Sequence, residues 1–184
     1  MAVTNKGLTI AHLNVRGLLN KVDQIRHLLN NYKFKILHIS ETFLTTNIVT
    51  NLICISGYNI VRRDRKGQHG GGLVSYVHNS IPFTAITDLD QLLPESLSLL
   101  ITLPHSKAFI TTAIYRPPNS PVSWTDNFDI LVTSAKAISD ELILLGDFNI
   151  DLKIAQKKWS NSYKQLGLNQ LIDRPTRVQK KVAH

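Results

Sequence analysis

A chain of 184 residues, 43% hydrophobic and 18% charged, is long enough to bury a core and too apolar to stay disordered. Its apolar runs, such as Leu97 to Leu103, are too short to span a bilayer, and the start carries no stretch of leader type. These features argue against membrane insertion and secretion and for a nuclear or cytoplasmic place. The net charge of +8 is uneven: Lys153, Lys157, Lys158, Lys164, Arg174, Arg177, Lys180 and Lys181 stand against the lone acid Asp173, and Arg62, Arg63, Arg65 and Lys66 surround Asp64. Clustered positive charge suits a polyanion, although a basic surface that serves only solubility is as good a reading of composition alone.

In chain order, Leu8 to Leu13 reads as a strand. Asn20 is placed to cap a helix carrying Val22, Ile25, Leu28, Leu29 and Tyr32 on one face. Phe34 to Ile39 is a second buried strand. Cys54, the single cysteine, lies in the apolar run Leu52 to Ile55 and reads as a small buried hydrophobe. Tyr58 to Val61 and Leu73 to Val77 are strands around a basic connection in which Gly70, Gly71 and Gly72 supply freedom at positive φ; a turn is preferred there to a phosphate cradle. Leu97 to Leu103 pairs with Ala108 to Tyr115, and Pro117-Pro118 ends the pairing. Ser123-Trp124-Thr125-Asp126 fits a capping box ahead of a helix with Trp124, Phe128, Leu131 and Ile138 inward. Leu142 to Leu145 is a short apolar strand of the kind covered on both faces. A last helix is expected from about Ala155 to Leu166. Buried strands alternating with amphipathic helices mean a layered α/β domain spanning residues 1–184.

Four polar sites follow apolar strands: Asn14, Glu41, Tyr115, and Asp147 with Asn149. Strand ends gather at one rim of a sheet, so these residues converge although distant in sequence. Taken singly each has a plainer role: a turn for Asn14, a helix cap for Glu41, an Asx-turn for Asp147. Together they form an acidic site with basic flanks. A hard cation such as Mg²⁺ takes one or two carboxylates with water and substrate phosphate, which Glu41 and Asp147 suit. An amide such as Asn149 or a phenol such as Tyr115 can donate to a phosphoryl oxygen as charge develops.

The segments Leu13-Asn14-Val15-Arg16-Gly17-Leu18, Ser40-Glu41-Thr42-Phe43-Leu44, Pro94-Glu95-Ser96, Tyr115-Arg116-Pro117-Pro118, Gly146-Asp147-Phe148-Asn149 and Arg174-Pro175-Thr176 occur in this order. In that combination the chain resembles the exonuclease–endonuclease–phosphatase superfamily, and within it the endonuclease domain of non-long-terminal-repeat (LINE-type) retrotransposons. The resemblance implies an α/β (α+β) four-layer sandwich, two mixed β-sheets flanked by helices. It implies a metal-dependent DNA endonuclease using Mg²⁺ or Mn²⁺, with the metal at Glu41 beside Asn14. Asp147 orients or deprotonates the attacking water, and Asn149 and Tyr115 stabilise the phosphate in flight. Glu95 and Thr176 are supporting groups, with a loop carboxylate and a turn residue as their plainer readings. Arg16, Arg62, Arg63, Arg65, Lys66, Arg116 and Arg177 are the expected nucleic-acid contacts. In such relatives the enzyme nicks one strand of target DNA, and a reverse transcriptase domain of the same protein extends the freed 3′ hydroxyl.

Two departures qualify the resemblance. Arg16 stands where relatives that repair abasic sites carry an Asp, which favours the retrotransposon branch and removes one metal carboxylate. The family also continues into further strands bearing an Asp and a Ser-Asp-His motif, and neither occurs here, so the last strands are expected to be missing and cleavage weakened. His12 and His38, inside apolar strands, read as satisfied interior histidines. Two other readings remain open: a non-catalytic nucleic-acid-binding fragment, and a phosphatase or lipid phosphodiesterase of the same superfamily.

Overall fold

The computed structural model describes residues 7–67, 70–150, 163–172 and 176. The chain divides into two units, Met1–Asn149 and Ile150–His184. In chain order the first unit forms β1 (Ile10–Asn14), α1 (Val22–Tyr32), β2 (Ile36–Ser40), β3 (Tyr58–Arg63), β4 (Leu73–His78), β5 (Phe83–Ala85), α2 (Thr87–Leu92), β6 (Ser96–Ile101), β7 (Phe109–Tyr115), α3 (Ser123–Ile138) and β8 (Leu142–Asp147). In the second unit residues 163–165 are helical and close a turn in which Leu168 N–H donates to Tyr163 O at 2.9 Å. The rest of the last expected helix lies outside the described residues.

The strands make two mixed four-stranded sheets, ordered β1-β2-β4-β3 and β5-β6-β7-β8. In the first, β1 and β2 run parallel and the other pairs antiparallel; in the second, β7 and β8 are the parallel pair. Side-chain alternation assigns the faces. On β2, Leu37 and Ile39 face α1 with Val22, Ile25 and Leu29, whereas Ile36 faces Leu97, Leu99 and Ala113 of the other sheet. Ile110 and Ala135 pack with Leu89, placing α2 and α3 over the second sheet. The result is the expected four-layer α/β sandwich, helix–sheet–sheet–helix.

Each parallel pair is joined by a crossover helix, α1 for β1–β2 and α3 for β7–β8, as parallel strands require. Each crossover therefore brings two strand C-termini to the same edge. Since β1 and β8 also touch across the sandwich, the ends of β1, β2, β7 and β8 share one rim.

Several local expectations are corrected. Asn20 is not a helix cap: a 3₁₀ turn at Leu19–Lys21 precedes α1, and its N-cap Lys21 makes no side-chain cap bond. The capping box at Ser123 is likewise unused, because α3 begins from Val122, already in helical conformation. Among the described residues β8 is an edge strand, and Ile143 is exposed, so it is not covered on both faces. Cys54 is exposed just after a 3₁₀ turn, Thr50–Ile53, and not buried. β5 and α2 were not foreseen.

Candidate active site

At the shared rim, Asn14 closes β1 and Asp147 closes β8, and Asn14 Nδ2 donates to Asp147 Oδ2 at 2.8 Å. This bond links the edges of the two sheets. Asp147 Oδ1 accepts the N–H of Asn149 at 3.1 Å, so the Asx-turn and the bond to Asn14 coexist on one carboxylate. Asn149 holds φ at 47° and donates from Nδ2 to the carbonyl of Arg116 at 2.7 Å, locking the 147–149 turn onto the end of β7. Gly146 is required just before: a Cβ there would stand 1.9 Å from Ile114 O.

Tyr115 pairs in register with Asp147 and is buried. Burial first, and then a hydrogen bond to Glu41, push its phenol up to about 12, so it stays protonated and able to donate. Glu41 follows β2 at φ 53° and meets Arg16 at 3.7 Å. Asn14–Asp147 and Tyr115–Glu41 are thus neighbouring pairs, with Asp147 close enough to act on the Tyr115 phenol through its charge. A carboxylate from each sheet faces the same space.

Among the described residues, the buried side-chain nitrogens and oxygens with no hydrogen-bond partner are Asn14 Oδ1, Arg65 Nη2 and Arg116 Nε. Burying such atoms unpaired is costly, and functional sites are where that cost is usually met. Here one acceptor and two donors stand among the strand-end residues and the groups packed on them. No group of three or more His, Cys, Asp or Glu gathers among the described residues. Glu41 with Asn14 Oδ1 is nevertheless a donor set of the kind Mg²⁺ accepts, because that ion keeps several waters and takes the rest from substrate phosphate. The residues fit such a cation.

The expected DNA-contacting arginines divide by exposure. Arg16 keeps 63% of its side chain exposed beside Glu41. Lys66 is exposed in the loop that follows β3. Arg62, by contrast, donates to the carbonyls of Thr45 (2.9 Å) and Ile48 (2.8 Å) and to Asp64 (2.6 Å). Arg63 donates to Ser96 O at 2.9 Å and to Asp90 O, joining the two sheets. Arg65 pairs with Glu95 at 2.8 Å, and Arg116 packs 5.4 Å over the Trp124 ring. Thr176 is exposed within the second unit, and Arg177 lies outside the described residues.

Two histidines line the interior behind the rim. His38 is fully buried and bonds Ser75 Oγ (2.7 Å) in its own sheet and Thr111 Oγ1 (2.9 Å) in the other. Desolvation lowers its pKa to about 3, so it is neutral, as an interior histidine should be. His12 meets Ser40 Oγ at 3.1 Å; desolvation lowers it to about 4, against a smaller upward pull from Asp147.

No family model matches the sequence, and no curated protein matches it either. Solved structures do. The endonuclease domain of TRAS1, a telomere-specific non-LTR retrotransposon, superposes with a TM-score of 0.68 at 13% identity, covering 89% of this chain and 74% of that one. The 3′ phosphatase NExo from Neisseria bound to product DNA hairpin gives 0.60 at 16%, covering 87% and 71%. The AP endonuclease LMAP from Leishmania major gives 0.65 at 17%, covering 78% and 55%. At such identities the likeness is one of fold: this chain has the two-sheet α/β sandwich of these proteins, and its strand-end rim carries the paired Asn14–Asp147 and Tyr115–Glu41.

Proposed function

We propose that this chain is a divalent-metal-dependent DNA phosphodiesterase of the exonuclease–endonuclease–phosphatase superfamily, nicking one strand in the manner of retrotransposon endonuclease domains. The observation that carries this reading is the rim itself, where carboxylates from both sheets meet beside the buried Asn14 Oδ1, an acceptor with no hydrogen-bond partner among the described residues. Glu41 and Asn14 Oδ1 would hold Mg²⁺ or Mn²⁺. When bound, such an ion supplies electrophilic stabilisation of phosphoryl oxygens. Asp147, held by the amide of Asn14 and the N–H of Asn149, orients the attacking water and takes its proton. Tyr115, kept protonated by burial, and the Asn149 amide donate to phosphate oxygens as charge builds on them. Arg16 and Lys66 provide an exposed positive field for a polyanion. The freed 3′ hydroxyl would serve a reverse transcriptase domain of a longer protein.

Nicking of supercoiled plasmid in Mg²⁺ or Mn²⁺ tests the assignment. Glu41→Ala and Asp147→Ala are each expected to lower the rate by at least about 10²- to 10³-fold, as loss of a group acting on the transition state does. Nicking that persists equally in both variants overturns the site. Salt-sensitive DNA binding that survives both substitutions, with no cutting at any metal concentration, selects a binding module instead.

A further inference from the structure

The group that ties the rim together lies just outside it, at the expected turn Gly70-Gly71-Gly72. All three glycines take positive φ, at 93°, 64° and 82°. The loop lies against the guanidinium of Arg65: a Cβ on Gly71 would stand 2.3 Å from Nε, 2.4 Å from Cζ and 2.5 Å from Nη2. The backbone of Gly71 therefore lies close against the Arg65 guanidinium, at a positive φ that favours glycine. Arg65 Nε donates to Glu95 Oε1 at 2.8 Å, and the other oxygen of that carboxylate accepts Gly72 N–H at 3.0 Å. Arg65 Cζ lies 5.5 Å over the Tyr115 ring, and Tyr115 N–H donates to Glu95 O at 2.9 Å. One guanidinium thus contacts the glycine loop, Glu95 and the aromatic ring.

The far side of the loop holds the two residues that follow Glu41. Thr42 N–H donates to Gly72 O at 3.2 Å and Phe43 N–H to Gly71 O at 2.9 Å. Gly17 N–H donates to Glu41 O at 2.7 Å from the opposite side. Glu41 and Phe43 hold φ of 53° and 56°, an uncommon conformation for residues with side chains, which persists only where surroundings fix it. The surroundings here are the 17–18 loop on one side and the glycine loop on the other. Arg65 and Glu95 keep only 18% and 9% of their side chains exposed. A buried ion pair is weak as a stabiliser, because desolvation offsets its attraction, and is best suited to specifying geometry.

We propose that Arg65 is a positioning residue rather than a DNA contact: with Glu95 and the 70–72 loop it forms a buckle that sets the placement of Glu41 and Tyr115, and through Glu41 the affinity for the cation. The role rests on the metal-dependent reading above. It predicts a particular pattern. Arg65→Lys keeps the charge but loses the guanidinium whose Nε serves Glu95 while its Cζ stands over Tyr115 and beside Gly71. Mn²⁺ binding, followed by the loss of the free ion's electron paramagnetic resonance signal, should weaken about 10- to 100-fold in both Arg65→Lys and Arg65→Met, as removal of an outer supporting partner does. The nicking kcat should fall with it, while KM for DNA and the salt dependence stay within about twofold.

Amide hydrogen exchange of the folded protein gives a readout independent of catalysis. Thr42 and Phe43 should exchange at least about tenfold faster in Arg65→Lys, with Leu131 in α3 unchanged. Localised acceleration together with weaker Mn²⁺ binding supports the buckle. Unchanged Thr42 and Phe43 exchange overturns it, as does rescue by Lys or an effect confined to KM and salt slope, which would make Arg65 a phosphate contact. If the parent protein binds no Mn²⁺ through Glu41, the metal-dependent reading fails and the cation-positioning role with it, whatever the exchange data show of the loop.

Discussion

Gly146 shows how a single position constrains the site. The residue it precedes, Asp147, must sit where β8 still pairs with Tyr115 of β7, yet the backbone of Ile114 comes so close that a methyl group at position 146 would lie 1.9 Å from its carbonyl oxygen. The obstacle is backbone on both sides and no side chain can swing away. Gly146→Ala is therefore expected to cost at least about 3 kcal/mol, the upper range of overpacking, read by urea unfolding. An Ala variant within about 0.5 kcal/mol of the parent would mean that the β7–β8 edge gives way freely, and that Asp147 is not held as described. The neighbouring polar residues were legible because each follows a mainly apolar strand: Asn14 after Ile10–Leu13, broken only by His12, and Asp147 after Leu142–Leu145. The arginines were not. Charge clustering located Arg62, Arg63 and Arg65 on one segment, but nothing in the sequence says that the guanidiniums turn back into the protein, one onto loop carbonyls, one across the sheets and one under the glycines.

At the scale of elements, what the sequence revealed was apolar content, and what it concealed was how ends are made. The long strands were recognisable because their residues are buried on both faces, as in β2, β4, β6 and β7. β5 escaped notice because it is three residues long and two of them are exposed. Helix starts misled for a physical reason. A Ser followed by an acid is a cap only if the Ser backbone is extended, and Val122 has already entered helical conformation before Ser123. Ser123→Ala should thus leave stability within about 0.5 kcal/mol, whereas an N-cap serine would lose about 1 kcal/mol. Thermal or urea unfolding decides between them, and a loss of the larger size would restore the capping role. The Asx-turn at Asp147 illustrates the opposite outcome, since the plain local role and the place in the site belong to the same side chain.

The two sheets meet not only through apolar side chains but through His38, which bonds a serine of one sheet and a threonine of the other. Its placement makes the stability of the whole sandwich depend on pH with a definite sign. Folded, His38 titrates at about 3; unfolded, at the ordinary 6.5. A histidine with a lowered folded pKa binds protons more readily in the unfolded chain, so its contribution is complete above 6.5 and is lost progressively as pH falls from 6.5 toward 3. Between pH 7.5 and 5 that amounts to about 2 kcal/mol. Asp90 works in the other direction. Desolvation raises its carboxyl to about 6 despite the Ser98 N–H it accepts, so the folded chain gains stability as pH falls from 6 toward the ordinary carboxylate value. Over the same interval that returns about 1 kcal/mol. His12, lowered to about 4 by desolvation, loses about as much again over the same interval and with the same sign as His38. The histidine effect is the larger and begins at higher pH, so urea unfolding should show a net decline on acidification, starting near pH 6.5. Removing Asp90's titration with Asp90→Asn should steepen the decline, because the opposing gain is gone, and should stabilise the protein most at pH 7.5. Equal stability of the parent at pH 7.5 and 5 together with no steepening in Asp90→Asn would mean that His38 and His12 are not held neutral in the interior, and that the sandwich is joined there differently.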